Sequence, residues 1–155
     1  MKKFIPFIIG SVLMIGAVGC QNTSKTSADA PSNTNEAGNA PTQETSQKTQ
    51  DDATNPVRKK QLESDIRANE QRNSATGGDT NRASGDLKSE VRDKLEANLP
   101  ASKLAVDAKD GAVTVAGTVP TQEQLNKIPT LAQQIKGVKS VKVNVKVSPA
   151  TATPK

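Results

Sequence analysis

The amino-acid sequence predicts an α+β fold: one small α-β-β-α-β unit over residues 86–147, with a three-stranded mixed sheet covered by two helices. Three observations predict it. Two stretches place apolar residues at helical spacing, and three others alternate apolar with polar residues at strand spacing. Between the first two strands lies Asp110-Gly111, a dipeptide suited to a tight hairpin because such a turn needs positive φ. The remainder is too polar to share that core, since only 33% of the chain is hydrophobic and the mean hydropathy is -0.59. Any core must be aliphatic, because Phe4 and Phe7 are the only aromatic residues.

The chain opens with Lys2-Lys3, an uncharged run from Phe4 to Gly19, and then Cys20, the single cysteine. The run falls short of the roughly 20 residues that a spanning helix needs, so residues 1–19 are expected to be a signal peptide. Residues 20–55 follow as an expected disordered tether of Ser, Thr, Asn, Gln, Ala and acidic side chains. Such a segment buries too little apolar surface to offset its ordering entropy. Lys25 and Lys48 are outnumbered there by Asp29, Glu36, Glu44, Asp51 and Asp52, so the tether is acidic and would be repelled by an anionic membrane.

Residues 56–72 are expected to form a charged helix, with Asn55 as its cap and Pro56 in its first position. Its apolar stripe is only Val57, Leu62 and Ile66, which predicts a marginal helix, solvated or lightly docked, the solvated reading being preferred. Residues 73–85, with Gly77-Gly78, read as a linker.

Within the unit, Leu87, Val91, Leu95 and Leu99 recur behind Asp86 as expected cap, giving a helix over 87–98 that Pro100 ends. Leu104, Val106 and Ala108 then alternate with polar or small residues, as do Val113, Val115 and Val119 beyond the hairpin. Gly117 falls on the inward parity of the second strand, where a missing side chain signals close backbone approach or a bulge. Thr121 and Gln124 form a capping-box pattern ahead of Leu125, Ile128, Leu131, Ala132 and Ile135. Pro129 interrupts that helix and predicts a kink or break near Lys127–Ile128, at about 3 kcal/mol. Gly137 is the expected left-handed cap. In the last strand Val141, Val143, Val145 and Val147 face inward, and Lys142, Asn144 and Lys146 face out. Residues 148–155 are expected to be a disordered tail.

The string Asp110-Gly111-Ala112-Val113-Thr114-Val115-Ala116-Gly117-Thr118-Val119, with Gly137-Val138-Lys139-Ser140-Val141 opening the last strand, resembles a BON domain. Ala17-Val18-Gly19-Cys20 resembles a lipobox, with Ala17 where leucine is usual. The two together are similar to a BON-domain lipoprotein of a bacterial envelope. That resemblance implies a lipid on Cys20, a periplasm-facing location, anionic phospholipid binding, and roles in envelope integrity or osmotic stress. Gln21 after the cysteine resembles an outer-membrane sorting context. A protein partner or self-association through the sheet edges is the alternative.

Other functions find little support. The chain has no histidine, no nucleophile–base pair and no metal-ligand spacing, so no catalytic residue, metal or cofactor is expected. Nucleic acid is not expected either, for want of a Gly-x-x-Gly loop and stacking aromatics. Strand parity places Lys103, Lys142 and Lys146 on the uncovered sheet face, opposed only by Asp107, as candidate contacts to an anionic surface. Asp110, Gly111, Gly117 and Gly137 are read as structural turn and cap positions.

Overall fold

A computed structural model describes residues 23–36, 38–76 and 83–149. The expected signal segment 1–19 and Cys20 lie outside the described residues, as do 150–155 of the expected tail. The elements run β1 (Ser24–Lys25), α1 (Gln43–Thr54), α2 (Pro56–Thr76), α3 (Ser84–Asn98), β2 (Lys103–Lys109), β3 (Ala112–Val119), α4 (Gln122–Gln133) and β4 (Ser140–Val147).

β2 and β3 form the expected hairpin, with Asp110 at φ 52 and Gly111 at φ 87. The Gly111 carbonyl accepts from Lys139 N–H at 2.8 Å and so ties the turn to the start of β4. β4 then runs parallel to β3, with Val113 beside Val141 and Val115 beside Val143. One face of this sheet carries the core. Leu87, Val91, Leu95 and Leu99 of the first domain helix meet Leu104, Val106, Val113, Val115 and Val119 from the strands and Ile128 and Ala132 from α4. Each such buried Val, Leu or Ile contributes about 1.5–3 kcal/mol, and the core is wholly aliphatic.

Gly117 sits at φ 131, and a Cβ there would lie 2.0 Å from the Lys103 carbonyl oxygen. The residue is glycine because β2 passes too close for any side chain. Gly137 adopts φ 89, but in the turn beyond α4; the helix itself ends at Gln133 with Gln134 as its C-cap.

Several expectations are corrected. Among the described residues the sheet has four strands in the order β1-β2-β3-β4, because Ser24 and Lys25 pair antiparallel with Val106 and Ala105. The stretch read as a disordered tether supplies that strand and α1, whose N-cap Thr42 accepts from Thr45 N–H. Its polar side chains satisfy backbone groups instead of leaving them to water: Thr26 Oγ1 accepts from Leu104 N–H at 2.9 Å. The charged helix extends to Thr76 and is docked, with Leu62 only 1% exposed. Asn55 Oδ1 caps it as expected, accepting from Val57 N–H at 2.9 Å. A narrow stripe suffices for docking because an ion pair, Arg58 Nη2 to Glu96 Oε1 at 2.7 Å, supplements it.

Gly77-Gly78 of the expected 73–85 linker lie outside the described residues, and both of its ends are helical, since α2 reaches Thr76 and α3 begins at Ser84. That helix is capped at Ala83, with no side-chain hydrogen bond there. Asp86 lies in its first turn, where a carboxylate suits the helix dipole. α4 runs unbroken through Pro129. Ile128 and Ala132, both fully buried, hold the chain on either side of the proline, so packing overrides the missing hydrogen bond.

Candidate binding surface

The outer sheet face was expected to be open, and half of it is not. On that face Lys103, Thr118 and Lys146 stand in one row across three strands, and Thr114 and Lys142 in another. Lys103 and Lys146 are therefore two strand spacings apart, about 9–10 Å. Between the rows Ala105 is paired with Ala116, and both are completely buried. What buries them is the N-terminal segment after β1. Ala30, Thr26 and Thr34 are themselves buried, the Thr34 carbonyl accepts from Asn144 Nδ2 at 3.4 Å, and a Cβ on Gly38 would lie 3.8 Å from Gly117 Cα.

The three candidate lysines consequently differ. Lys103 is 7% exposed, with its Nζ 3.8 Å from Asp29 Oδ2. It is neutralised under the N-terminal segment, as a buried ammonium must be. Lys142 and Lys146 remain exposed on β4. Asp107 shares the outer-face row of Thr114 and Lys142, and its carboxylate is 3.7 Å from Lys88 Nζ. The exposed lysines belong to a longer basic tract, because no Asp or Glu occurs from Gln124 onward while Lys127, Lys136, Lys139, Lys142 and Lys146 all do.

A second polar cluster escaped the reading of the sequence. Between α2 and α3, Arg58 and Arg92 both reach Glu96, Arg58 Nε donating at 2.9 Å and Arg92 Nη1 lying 3.4 Å from the other oxygen. Arg92 also pairs with Asp93. The Arg58 guanidinium is held above its ordinary pKa, chiefly by the hydrogen bond to Glu96. Burial pushes the Asp93 carboxyl up to about 6, against the pull of Arg92. The i,i+4 pair Arg92 and Glu96 was visible in the sequence, but nothing in it said that a helix 38 residues upstream would cover the pair. These charges complete one another and fix α2 on α3.

The hollows among the described residues are open to solvent. One hollow, about 650 Å³, lies between the N-terminal segment and Lys103, lined by Asp29, Ser32, Glu36, Asn39 and Thr42. Among the described residues no group of three or more His, Cys, Asp or Glu is placed to hold a metal ion. No described helix is long and apolar enough to cross a membrane.

Comparison with known proteins agrees with this architecture. Residues 83–149 match the BON domain family. Osmotically-inducible protein Y of Escherichia coli (strain K12) is 38% identical over 60 residues, which are 37% of this chain and 30% of that protein. The chain thus aligns with under a third of the length of this relative. No solved structure gives a significant match. The matched segment runs from the cap of α3 to just past β4, so the helix–hairpin–helix–strand unit at residues 83–149 of this chain is a BON domain.

Proposed function

We propose that this chain is a non-catalytic, lipid-anchored component of a bacterial envelope whose BON domain meets anionic phospholipid surfaces through β4. The observation that carries the reading is the acid-free basic tract after Glu123, whose Lys142 and Lys146 stand exposed on one strand face. Near an anionic leaflet each contributes about 1 kcal/mol, screened beyond a Debye length of roughly 8 Å. Lys103 adds nothing while Asp29 neutralises it, so the contact is worth about 2 kcal/mol and needs the anchor to become stable. The anchor is a lipid on Cys20, behind a signal peptide that leaves the protein facing the periplasm, on the outer membrane by the Gln21 context. The relative is named for induction by osmotic stress, which supports a role in osmotic tolerance or envelope integrity.

Vesicle flotation tests this reading. The mature chain, residues 20–155 with Cys20→Ser and so neither lipid nor signal segment, should float with anionic vesicles at low salt, poorly with neutral ones, and the addition of Lys142→Gln and Lys146→Gln should abolish the difference. Equal flotation with neutral vesicles, or indifference to the two lysine changes, would remove the lipid surface as the role of β4.

A further inference from the structure

Going beyond that reading, we infer that the free edge of β4 is a docking site for an extended protein segment that alternates apolar and acidic residues. The two ends of the sheet are treated differently by this chain. At one end β1 covers the edge of β2; at the other, β4 is the terminal strand, with no strand beyond it among the described residues. β4 is eight residues long, contains no proline and alternates strictly. Natural sheets blunt such an edge with charge, and Lys142 and Lys146 serve that end here, so an occupant must bring carboxylates to neutralise them.

The direction of its backbone groups follows from the ladder. Ser140 N–H donates to the Gly111 carbonyl at 3.4 Å and Ser148 N–H to the Val119 carbonyl at 2.8 Å. In a parallel pair alternate residues turn toward the neighbour. The even-numbered positions therefore face β3, and Val141, Val143, Val145 and Val147 hold their N–H and C=O groups toward the open edge. Their side chains meanwhile sit on the core face and are only partly buried, Val147 being 38% exposed. An added strand would satisfy these backbone groups and, with apolar residues at alternate positions, extend the core over the valines. Its other residues would lie beside Lys142 and Lys146 on the outer face, which selects carboxylates.

Charge disfavours a second copy in the register that pairs the two β4 centres. Two β4 strands paired antiparallel about Asn144 would set Lys142 opposite the Lys146 of the other copy, and directly opposed like charges are unfavourable.

The test uses the full chain in neutral detergent and follows amide exchange by NMR. In the free protein the Val143 and Val145 amides should exchange rapidly, while those of Asn144 and Lys146, bonded to β3, are protected. A synthetic peptide of alternating glutamate and valine should protect Val143 and Val145; a lysine–valine peptide should not. Lys142→Glu with Lys146→Glu should weaken the first peptide roughly tenfold or more and let the second bind, with signal dispersion unchanged. Protection of Val143 and Val145 in the free chain, equal binding of both peptides, or protection by anionic vesicles and by neither peptide would each overturn the inference.

Discussion

Replacing Gly117 by alanine should unfold the domain or nearly so. The new Cβ would lie 2.0 Å from the Lys103 carbonyl oxygen, 3.0 Å from its carbon and 3.2 Å from Leu104 Cα. All three are backbone atoms, so no side chain can swing aside. Nor can β2 retreat: Leu104 is gripped from its other side by Thr26, whose N–H donates to the Leu104 carbonyl at 2.9 Å while its hydroxyl accepts from Leu104 N–H at 2.9 Å. Gly117 also sits at φ 131, which an L side chain rarely adopts. Backbone strain of about 1–3 kcal/mol adds to overpacking of about 1–3 kcal/mol, giving roughly 4 kcal/mol. A domain of this size is stable by only about 3–10 kcal/mol. Urea and thermal unfolding followed by far-UV circular dichroism would measure the loss, since the chain has neither Trp nor Tyr for fluorescence. At about 4–8 °C per kcal/mol the midpoint should fall by at least about 15 °C. Gly85→Ala is the control: nothing lies within 4 Å of its Cβ and it sits inside α3, so it should gain about 0.5–1 kcal/mol. A Gly117→Ala protein within 1 kcal/mol of the parent, with the same denaturant slope, would refute the close-approach argument.

Two further changes probe the remaining contacts. The Asp93 carboxyl, raised by burial from 3.8 to about 6, favours the folded state when protonated; its contribution is present below about pH 4 and is lost as the pH rises through 6. Asp93→Asn should therefore stabilise the protein at pH 7 by of order 1–3 kcal/mol and change little at pH 4, measured as urea midpoints; equal midpoints for variant and parent at pH 7 would contradict it. Ala116→Gln should push the N-terminal segment off the outer face while sparing the core, because Ala116 points away from it. Lys103 should then acetylate readily, as read by mass spectrometry, and the segment should become protease-sensitive; a Lys103 as protected as in the parent would show that the segment does not cover it.

The BON unit was legible because its local signals agree. The Asp110-Gly111 turn, the valine alternation of β3 and β4 and the Thr121 cap each fix one element, and they fix it the same way. What was illegible lay in contacts far apart in sequence. Asp86 reads as a cap by type, yet the helix starts two residues earlier at Ser84 because cap choice is weakly specified by sequence alone. Leu62 and Ile66 make too thin a stripe to announce docking, and the Arg58–Glu96 pair that completes it joins residues 38 apart. Lys103, Lys142 and Lys146 share the outer face, as strand parity implied; what covers Lys103 was missed.

That cover had a signal of its own. A solvated sheet face carries long polar side chains, whereas the outward positions at the centre of β2 and β3 are Ala105 and Ala116, paired side by side. Two alanines leave a trough shallow enough for backbone to lie in. The N-terminal segment suits it by being free of bulk: Ala30, Thr34 and Gly38 lie over the face, where leucine or valine would stand the chain off. Hydrophobic patterning, which asks for large apolar residues, passes over such a seam on both sides. Charge then sets its register, since a lysine buried beneath it requires a carboxylate and Asp29 is the one in reach. The acidity that suggested repulsion from a membrane thus has a nearer use. It seats the first part of the chain on a basic sheet, covers the β2 half of the outer face, and leaves β4 as the half that remains to meet something else.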